Sequence, residues 1–81
     1  MPLKEIIVKI FEQIGSTAAV ASDDGEQIYS RIQKALNNDL IVRLDFKNIE
    51  LITSSFLNAA IGQLYNSFES QFLREHLKVE N

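Results

Sequence analysis

The chain contains a seven-residue stretch, residues 40–46, that is apolar except for Arg43 and Asp45. Such a run is typical of a buried strand in a parallel sheet. A polar bend follows it and ends in Thr53-Ser54-Ser55. After the bend, apolar side chains recur at helical spacing from Ser55 to Phe68, namely Leu57, Ile61, Leu64, Tyr65 and Phe68. A strand, a hydroxyl-rich turn and a helix in this order predict an α/β unit.

A strand and a helix are also predicted ahead of this unit. Residues 6–11 are rich in β-branched side chains, which favour a strand covered on both faces. A helix is predicted to begin at Asp23, an N-capping residue with a glutamate three positions later, and to end at residues 37–39. Residues 12–22 are interpreted as a loop, with a short strand at residues 17–21 as the alternative.

One more helical turn and one more strand are predicted to close the chain. Residues 71–76 predict the helical turn, and residues 77–80 alternate between apolar and charged side chains, as a short edge strand does. Residues 47–52 are expected to cross the end of the sheet. Ile49 and Ile52 are predicted to hold that bend against the core.

The predicted order β, α, β, α, β implies mostly parallel strands joined by right-handed crossovers. The expected fold class is therefore α/β, a small two-layer sandwich of three or four strands with two main helices and a short C-terminal helical turn. Residues 1–81 are expected to form a single domain. A single helical layer leaves one face of the sheet uncovered, so the alanine-rich loop or a second subunit is expected to cover it.

The composition narrows the class of protein. Hydrophobic residues make up 46% of the chain and charged residues 23%, which is typical of a globular domain. The net charge of −3 argues against nucleic acid or an anionic membrane as a partner. No apolar run is long enough to span a membrane, and the N-terminus does not resemble a signal peptide. Cysteine is absent, and a small domain without disulfides favours a cytoplasmic location.

The sequence offers few groups for catalysis or for cofactor binding. It has one histidine, no cysteine and three scattered glycines, so neither a metal site nor a phosphate-binding loop is expected. Ser55, His76 and Asp45 include the residue types of a hydrolase triad, but no Gly-x-Ser-x-Gly turn presents the serine. We therefore expect no cofactor and no enzymatic activity.

Two polar groups follow the predicted central strand. Asp45 is expected to accept backbone amides in the bend after that strand. The hydroxyls of Thr53, Ser54 and Ser55 precede the second helix, where a hydroxyl cap contributes roughly 1 kcal/mol. The same position suits a phosphorylation site, because a phosphate there adds about two negative charges to the surface without unfolding the domain.

The same segments carry a resemblance to a known family. They are Ile41-Val42-Arg43-Leu44-Asp45-Phe46, Ile49, Ile52-Thr53-Ser54-Ser55-Phe56-Leu57 and Gly62-Gln63-Leu64-Tyr65. In sequence and spacing they resemble the STAS-like domain family of unknown function. That family is in turn similar to the STAS domains of bacterial anti-sigma factor antagonists, in which a serine of an aspartate-serine-serine-glycine turn is phosphorylated by a partner kinase. Thr53 takes the aspartate position here, and Phe56 takes the glycine position.

The resemblance implies a STAS-like fold and a non-enzymatic regulatory module that binds a protein partner. It implies that Ser55, with Ser54 beside it, is the phospho-acceptor, and that the partner is a histidine-kinase-like ATPase or an anti-sigma factor. The expected partner-binding residues are Thr53, Phe56, Asn58 and Gln63, with burial of Phe56 beneath the turn as the alternative to an exposed anchor. A small-molecule or nucleotide-sensing domain and a homodimeric accessory protein are the alternatives.

Overall fold

The computed structural model describes residues 4–80. Residues 1–3, part of the segment predicted not to be a signal peptide, and residue 81 lie outside the described range. The elements are β1 (Glu5–Lys9), α1 (Ile10–Ile14), β2 (Ala18–Ala19), α2 (Ser22–Asn37), β3 (Ile41–Asp45), β4 (Leu51–Ile52), α3 (Ser54–Leu57), a π-helical segment (Asn58–Gly62), α4 (Leu64–Ser67), α5 (Ser70–His76) and β5 (Leu77–Glu80).

The main sheet is parallel and has the order β1-β3-β5. The predicted central strand is confirmed, since β3 lies between the two other strands and the side chains of Val42 and Leu44 are buried. The prediction of an edge strand at residues 77–80 is confirmed as well. A separate two-stranded parallel sheet pairs β2 with β4. The predicted α/β class with mostly parallel strands is therefore confirmed.

The core lies between the main sheet and the helices. Side chains of β1 and β3 pack against apolar residues of α2, α3, α4 and α5. The largest fully buried members of this core are Phe56, Ile10, Ile28, Ile32, Leu44, Leu64, Val8 and Val42. Burial of a side chain of this size stabilises the fold by about 1.5–3 kcal/mol, so the short chain depends on each of them.

The opposite face of the sheet is open, which corrects the prediction that the first strand is covered on both faces. The Ile7 side chain is 56% exposed there. Arg43 lies at the centre of this face and forms ion pairs with Glu5 of β1 at 3.2 Å and with Glu80 of β5 at 3.1 Å. The hydrogen bond to Glu5 is the main cause that raises the pKa of Arg43. Because this face is uncovered, the charged side chains of Arg43, Glu5 and Glu80 remain in contact with water.

The segment after β1 differs from the prediction. The strand ends at Lys9, and residues 10–14 form α1 instead of more strand and loop. Gly15 ends this helix with a φ of 71°, the left-handed conformation that glycine adopts without a steric penalty. The alternative of a short strand within residues 17–21 is confirmed by β2, because its pairing with β4 satisfies the backbone there.

Helix α2 is present as predicted, but its ends differ in detail. It begins at Ser22 after the N-cap residue Ala21, which makes no side-chain capping bond. Asp23 lies inside the first turn, so it is not the cap; an acidic side chain there still complements the helix dipole. After the helix, Asp39 takes the left-handed conformation with a φ of 60°.

The second predicted helix is divided into α3, the π-helical segment and α4. A π-helical turn contains about one more residue than an α-helical turn, so it rotates the residues that follow it. The predicted apolar stripe is therefore partly wrong. Leu57 and Tyr65 are exposed, whereas Phe56, Ala59, Ala60 and Leu64 are buried.

Candidate interaction site at the start of helix α3

Thr53 joins the start of α3 to the small sheet. Its backbone N–H donates to the carbonyl of Ala19 at 3.1 Å. Its hydroxyl donates to the carbonyl of Val20 at 2.9 Å and accepts the backbone N–H of Phe56 at 3.2 Å. The same hydroxyl is therefore both the N-cap of α3 and a link to the chain after β2. Because it already makes two bonds inside the protein, it is poorly placed to contact a partner.

Ser54 and Ser55 form the first turn of α3, and both residues are exposed. Within residues 4–80 neither hydroxyl makes a hydrogen bond. Their backbone carbonyls both accept the N–H of Asn58, so the backbone of the turn is fixed although the side chains are free. The two hydroxyls are thus presented to solvent on a rigid support.

Four large apolar side chains that lie close to Thr53 in the structure are exposed. We call them the apolar rim; they are Val20, Leu51, Ile52 and Leu57, with exposed fractions of 36–56%. The backbone carbonyl of Val20 accepts a hydrogen bond from the Thr53 hydroxyl, and the backbone N–H of Leu57 donates to the Thr53 carbonyl at 3.1 Å. The prediction that Ile52 holds the bend against the core is therefore wrong. Leu51 and Ile52 instead form the short strand β4, which projects beyond the core.

Phe56 has the opposite environment from the one expected for a partner-binding residue. Its side chain is completely buried. A Cβ atom on Gly25 of α2 would lie 2.6 Å from the Phe56 carbonyl oxygen and 2.8 Å from the Ala59 Cβ. The two helices thus approach so closely that only glycine fits at this point of α2. Phe56 positions α3 on the core and does not present an anchor to another protein.

Asn58 and Gln63, the other expected partner-binding residues, lie at the two ends of the π-helical segment. Asn58 is exposed. The Gln63 backbone N–H donates to the Asn58 carbonyl at 3.2 Å, which is the π-helical pattern. That pattern leaves the Ala59 carbonyl without the donor it would have in an α-helix, and the Gln63 side-chain amide donates to it at 2.8 Å. Gln63 therefore has a structural role inside the helix.

Asp45 and His76 lie in other parts of the fold. The Asp45 carboxylate accepts the backbone N–H of Lys47 at 2.8 Å, in the bend after β3. The buried His76 ring stacks on Phe72 at a centroid distance of 4.0 Å. Its Nδ1 is 2.9 Å from the Phe72 carbonyl, and its Nε2 is 3.2 Å from Asp39. His76 is thus engaged between α5 and the end of α2, and it makes no hydrogen bond to Ser55.

Within the part of the chain that the structure describes, three or more histidine, cysteine, aspartate or glutamate side chains nowhere cluster as metal ligands would. Among the same residues no helix combines the length and the hydropathy needed to cross a membrane. The groups that the start of α3 presents to solvent are the hydroxyls of Ser54 and Ser55 and the side chains of the apolar rim.

Sequence reasoning missed the apolar rim and the role of Gly25. One signal was present in each case. The pair Leu51-Ile52 is apolar but directly adjoins a hydroxyl-rich turn, and a glycine inside a helical pattern often marks a close approach of two backbones. The π-helical segment had no such signal in the sequence.

A family model described as a STAS-like domain of unknown function matches residues 24–81. The match begins in the first turn of α2 and includes β3, the turn at Thr53 and β5. It agrees with the family that the sequence motifs predicted. No curated protein and no solved structure matches the chain.

Proposed function

The chain belongs to the STAS-like domain family of unknown function, and we propose that it is a non-enzymatic regulatory module that binds a protein partner through the start of α3. The observation that carries this proposal is the combination found there. Two exposed hydroxyls without hydrogen bonds, Ser54 and Ser55, lie beside the exposed apolar rim.

The apolar rim supplies the affinity in this proposal. Exposed apolar side chains that are grouped, and not scattered, are a common mark of a protein-binding surface. Burying them against a partner contributes about 25 cal/mol for each Å² removed from water. The turn does not have to become ordered on binding, because Thr53 already fixes it to the chain after β2. A preorganised surface of this kind loses little conformational entropy when a partner binds.

Phosphorylation of Ser55 would act as the switch. A phosphate adds about −1.5 to −2 charges at neutral pH. Placed beside the apolar rim, that charge would have to be desolvated when an apolar partner surface arrives, which opposes binding. Since the Ser55 side chain is exposed, the modification would leave the core unchanged. The family resemblance favours a histidine-kinase-like ATPase or an anti-sigma factor of a bacterial cytoplasm as the partner.

The test is a binding titration between this protein and purified histidine-kinase-like ATPases and anti-sigma factors of the same genome, beginning with any that is encoded beside it. We expect Ser55→Asp to weaken binding at least about tenfold and Ser55→Ala to leave it unchanged. Ser70→Asp is the matched control, because Ser70 is also an exposed serine at the start of a helix. Equal binding by Ser55→Asp and the wild type would reject the switch, and no binding by the wild type would reject this class of partner.

A further inference from the structure

The strand β1 forms one edge of the main sheet, and alternate residues direct their backbone polar groups away from it. The Lys4 carbonyl accepts the N–H of Ile41 on β3 at 2.9 Å, so the even-numbered residues of this segment face β3. The backbone groups of Glu5, Ile7 and Lys9 therefore point outward. Within residues 4–80 no strand lies beyond them. An edge of this kind is a template for pairing with another strand.

We propose that β1 pairs in antiparallel fashion with β1 of a second copy of this chain, with the two Ile7 residues opposite each other. In this register Glu5 of each copy lies opposite Lys9 of the other, and Ile6 lies opposite Val8. The two three-stranded sheets would then form one continuous six-stranded sheet. This inference does not depend on the proposed function, because it concerns a different edge of the molecule.

The charges of β1 select this register among those that the backbone allows. Only outward-facing residues exchange hydrogen bonds across the new pair, so Ile7 must lie opposite Ile7, Glu5 or Lys9. If Ile7 lay opposite Glu5 or Lys9, neither Glu5 would lie opposite a Lys9 of the other copy. Fewer residues of the two β1 strands would then be paired by backbone hydrogen bonds. Pairing Ile7 with itself uses the whole strand and places both pairs of opposite charges across from each other. Opposite charges at such positions stabilise strand pairing, and like charges oppose it.

The exposure of Ile7 supports the same pairing. Its side chain is 56% exposed on the open face of the sheet, between the charged side chains of Glu5 and Lys9. An Ile7 from a second copy would cover it, and aliphatic pairs across strands are favourable. An open groove next to β1 is lined in part by Ile7, Lys9, Glu12 and Arg31.

The other edge, β5, is less suited to pairing with itself. It has four residues where β1 has five. The charged side chains do not separate the two edges, because those of both strands already make contacts inside the chain. On β5, Lys78 donates to the Arg74 carbonyl at 3.2 Å and Glu80 pairs with Arg43 at 3.1 Å, and on β1 Glu5 pairs with Arg43 at 3.2 Å and Lys9 with Glu12 at 3.6 Å. The greater length of β1 is therefore what favours it. Val79 is nevertheless as exposed as Ile7, at 59%. It is therefore the matched control position for any test of the β1 edge.

The first test uses charge reversal and sedimentation velocity over a range of protein concentrations. Glu5→Lys and Lys9→Glu each place like charges opposite each other in the dimer, so each variant is expected to dimerise about tenfold more weakly than the wild type. A mixture of the two variants restores opposite charges at every pair and is expected to form a heterodimer. Circular dichroism checks that each variant is folded. A wild type that stays monomeric, or a mixture that associates no better than its components, would overturn the proposal.

The second test uses the absence of cysteine from the chain. Hydrogen-bonded residues opposite each other in antiparallel strands have Cα atoms about 5.5 Å apart, which is within the range of a disulfide. Oxidised Ile7→Cys is expected to give a covalent dimer in high yield, and Val79→Cys only a small fraction. Equal yields from both variants, or a higher yield from Val79→Cys, would place the contact elsewhere and contradict the pairing of β1.

Discussion

Replacing Gly25 by alanine is expected to destabilise the protein, although alanine is ordinarily the better residue inside a helix. Alanine gains about 1 kcal/mol over glycine in a helix interior. The new Cβ would lie 2.6 Å from the backbone oxygen of Phe56, 2.8 Å from the Ala59 Cβ and 3.2 Å from the backbone nitrogen of Ala60. Two of these atoms belong to backbone and cannot move away alone, so α2 and α3 must separate.

Overpacking of this kind costs about 1–3 kcal/mol or more. Because two of the three close contacts are with backbone atoms, the upper part of this range applies, about 2–3 kcal/mol. With the gain of about 1 kcal/mol in helix propensity subtracted, we expect a net loss of about 1–2 kcal/mol from the free energy of unfolding. In a domain of this size that lowers the Tm by roughly 5–15 °C. Thermal unfolding followed by circular dichroism measures the change. Since α3 carries the Ser54–Ser55 turn, the same substitution is expected to shift the amide resonances of that turn.

Gly62→Ala is the matched control for this prediction. A Cβ at Gly62 would meet no atom nearer than the Asn58 Oδ1 at 3.5 Å, and that atom belongs to an exposed side chain. Alanine there is expected to be neutral or to stabilise the protein by up to about 1 kcal/mol. If Gly25→Ala raised the Tm as Gly62→Ala does, the close approach of α2 to α3 would be refuted.

Other substitutions test the turn, the rim and the open sheet face. Thr53→Ala removes a cap and a link to Val20, so urea unfolding should show a loss of about 1–2 kcal/mol, whereas an equally stable Thr53→Ala would contradict the capping geometry. Leu57→Ser is expected to cost about 1–2 kcal/mol of stability, because the residue is only 37% exposed, and to weaken partner binding in a titration of the folded variant; unchanged binding would exclude Leu57 from the interface. The raised pKa of Arg43 means that its contribution to stability is fully present below its ordinary pKa and is lost only as the pH rises through the higher folded-state pKa. Arg43→Gln should therefore shift the Tm equally at pH 7 and pH 9, and a shift that differs between the two would contradict this.

The sequence predicted the elements whose patterns are local and strong. β3 and β5 were found because an apolar run is typical of a central strand of a parallel sheet and an alternating segment is typical of an edge strand. Thr53 was placed correctly ahead of a helix because capping is a short-range interaction, whereas Ser54 and Ser55 belong to the first turn of that helix. The exposed positions of Ser54 and Ser55 agree with that placement.

Features that depend on tertiary contacts were not predicted. The π-helical segment interrupts the regular α-helical spacing between Leu57 and Tyr65. A prediction based on that spacing therefore assigned both residues to the buried stripe, whereas both are exposed. Two alternatives were open for Phe56, an exposed anchor for a partner or a side chain buried beneath the turn, and the structure shows the buried one. The exposure of Ile52 depends on the pairing of β4 with β2, and neither two-residue strand has a pattern of its own.

The central claim is that the start of α3 is the surface that a partner protein covers. Hydrogen–deuterium exchange of this protein, alone and mixed with the protein encoded beside it, measures that surface directly. We predict that binding slows exchange in the segment of residues 51–58 and leaves α5 and β5 unchanged. Slower exchange confined to α5 and β5, with residues 51–58 unaffected, would contradict the account.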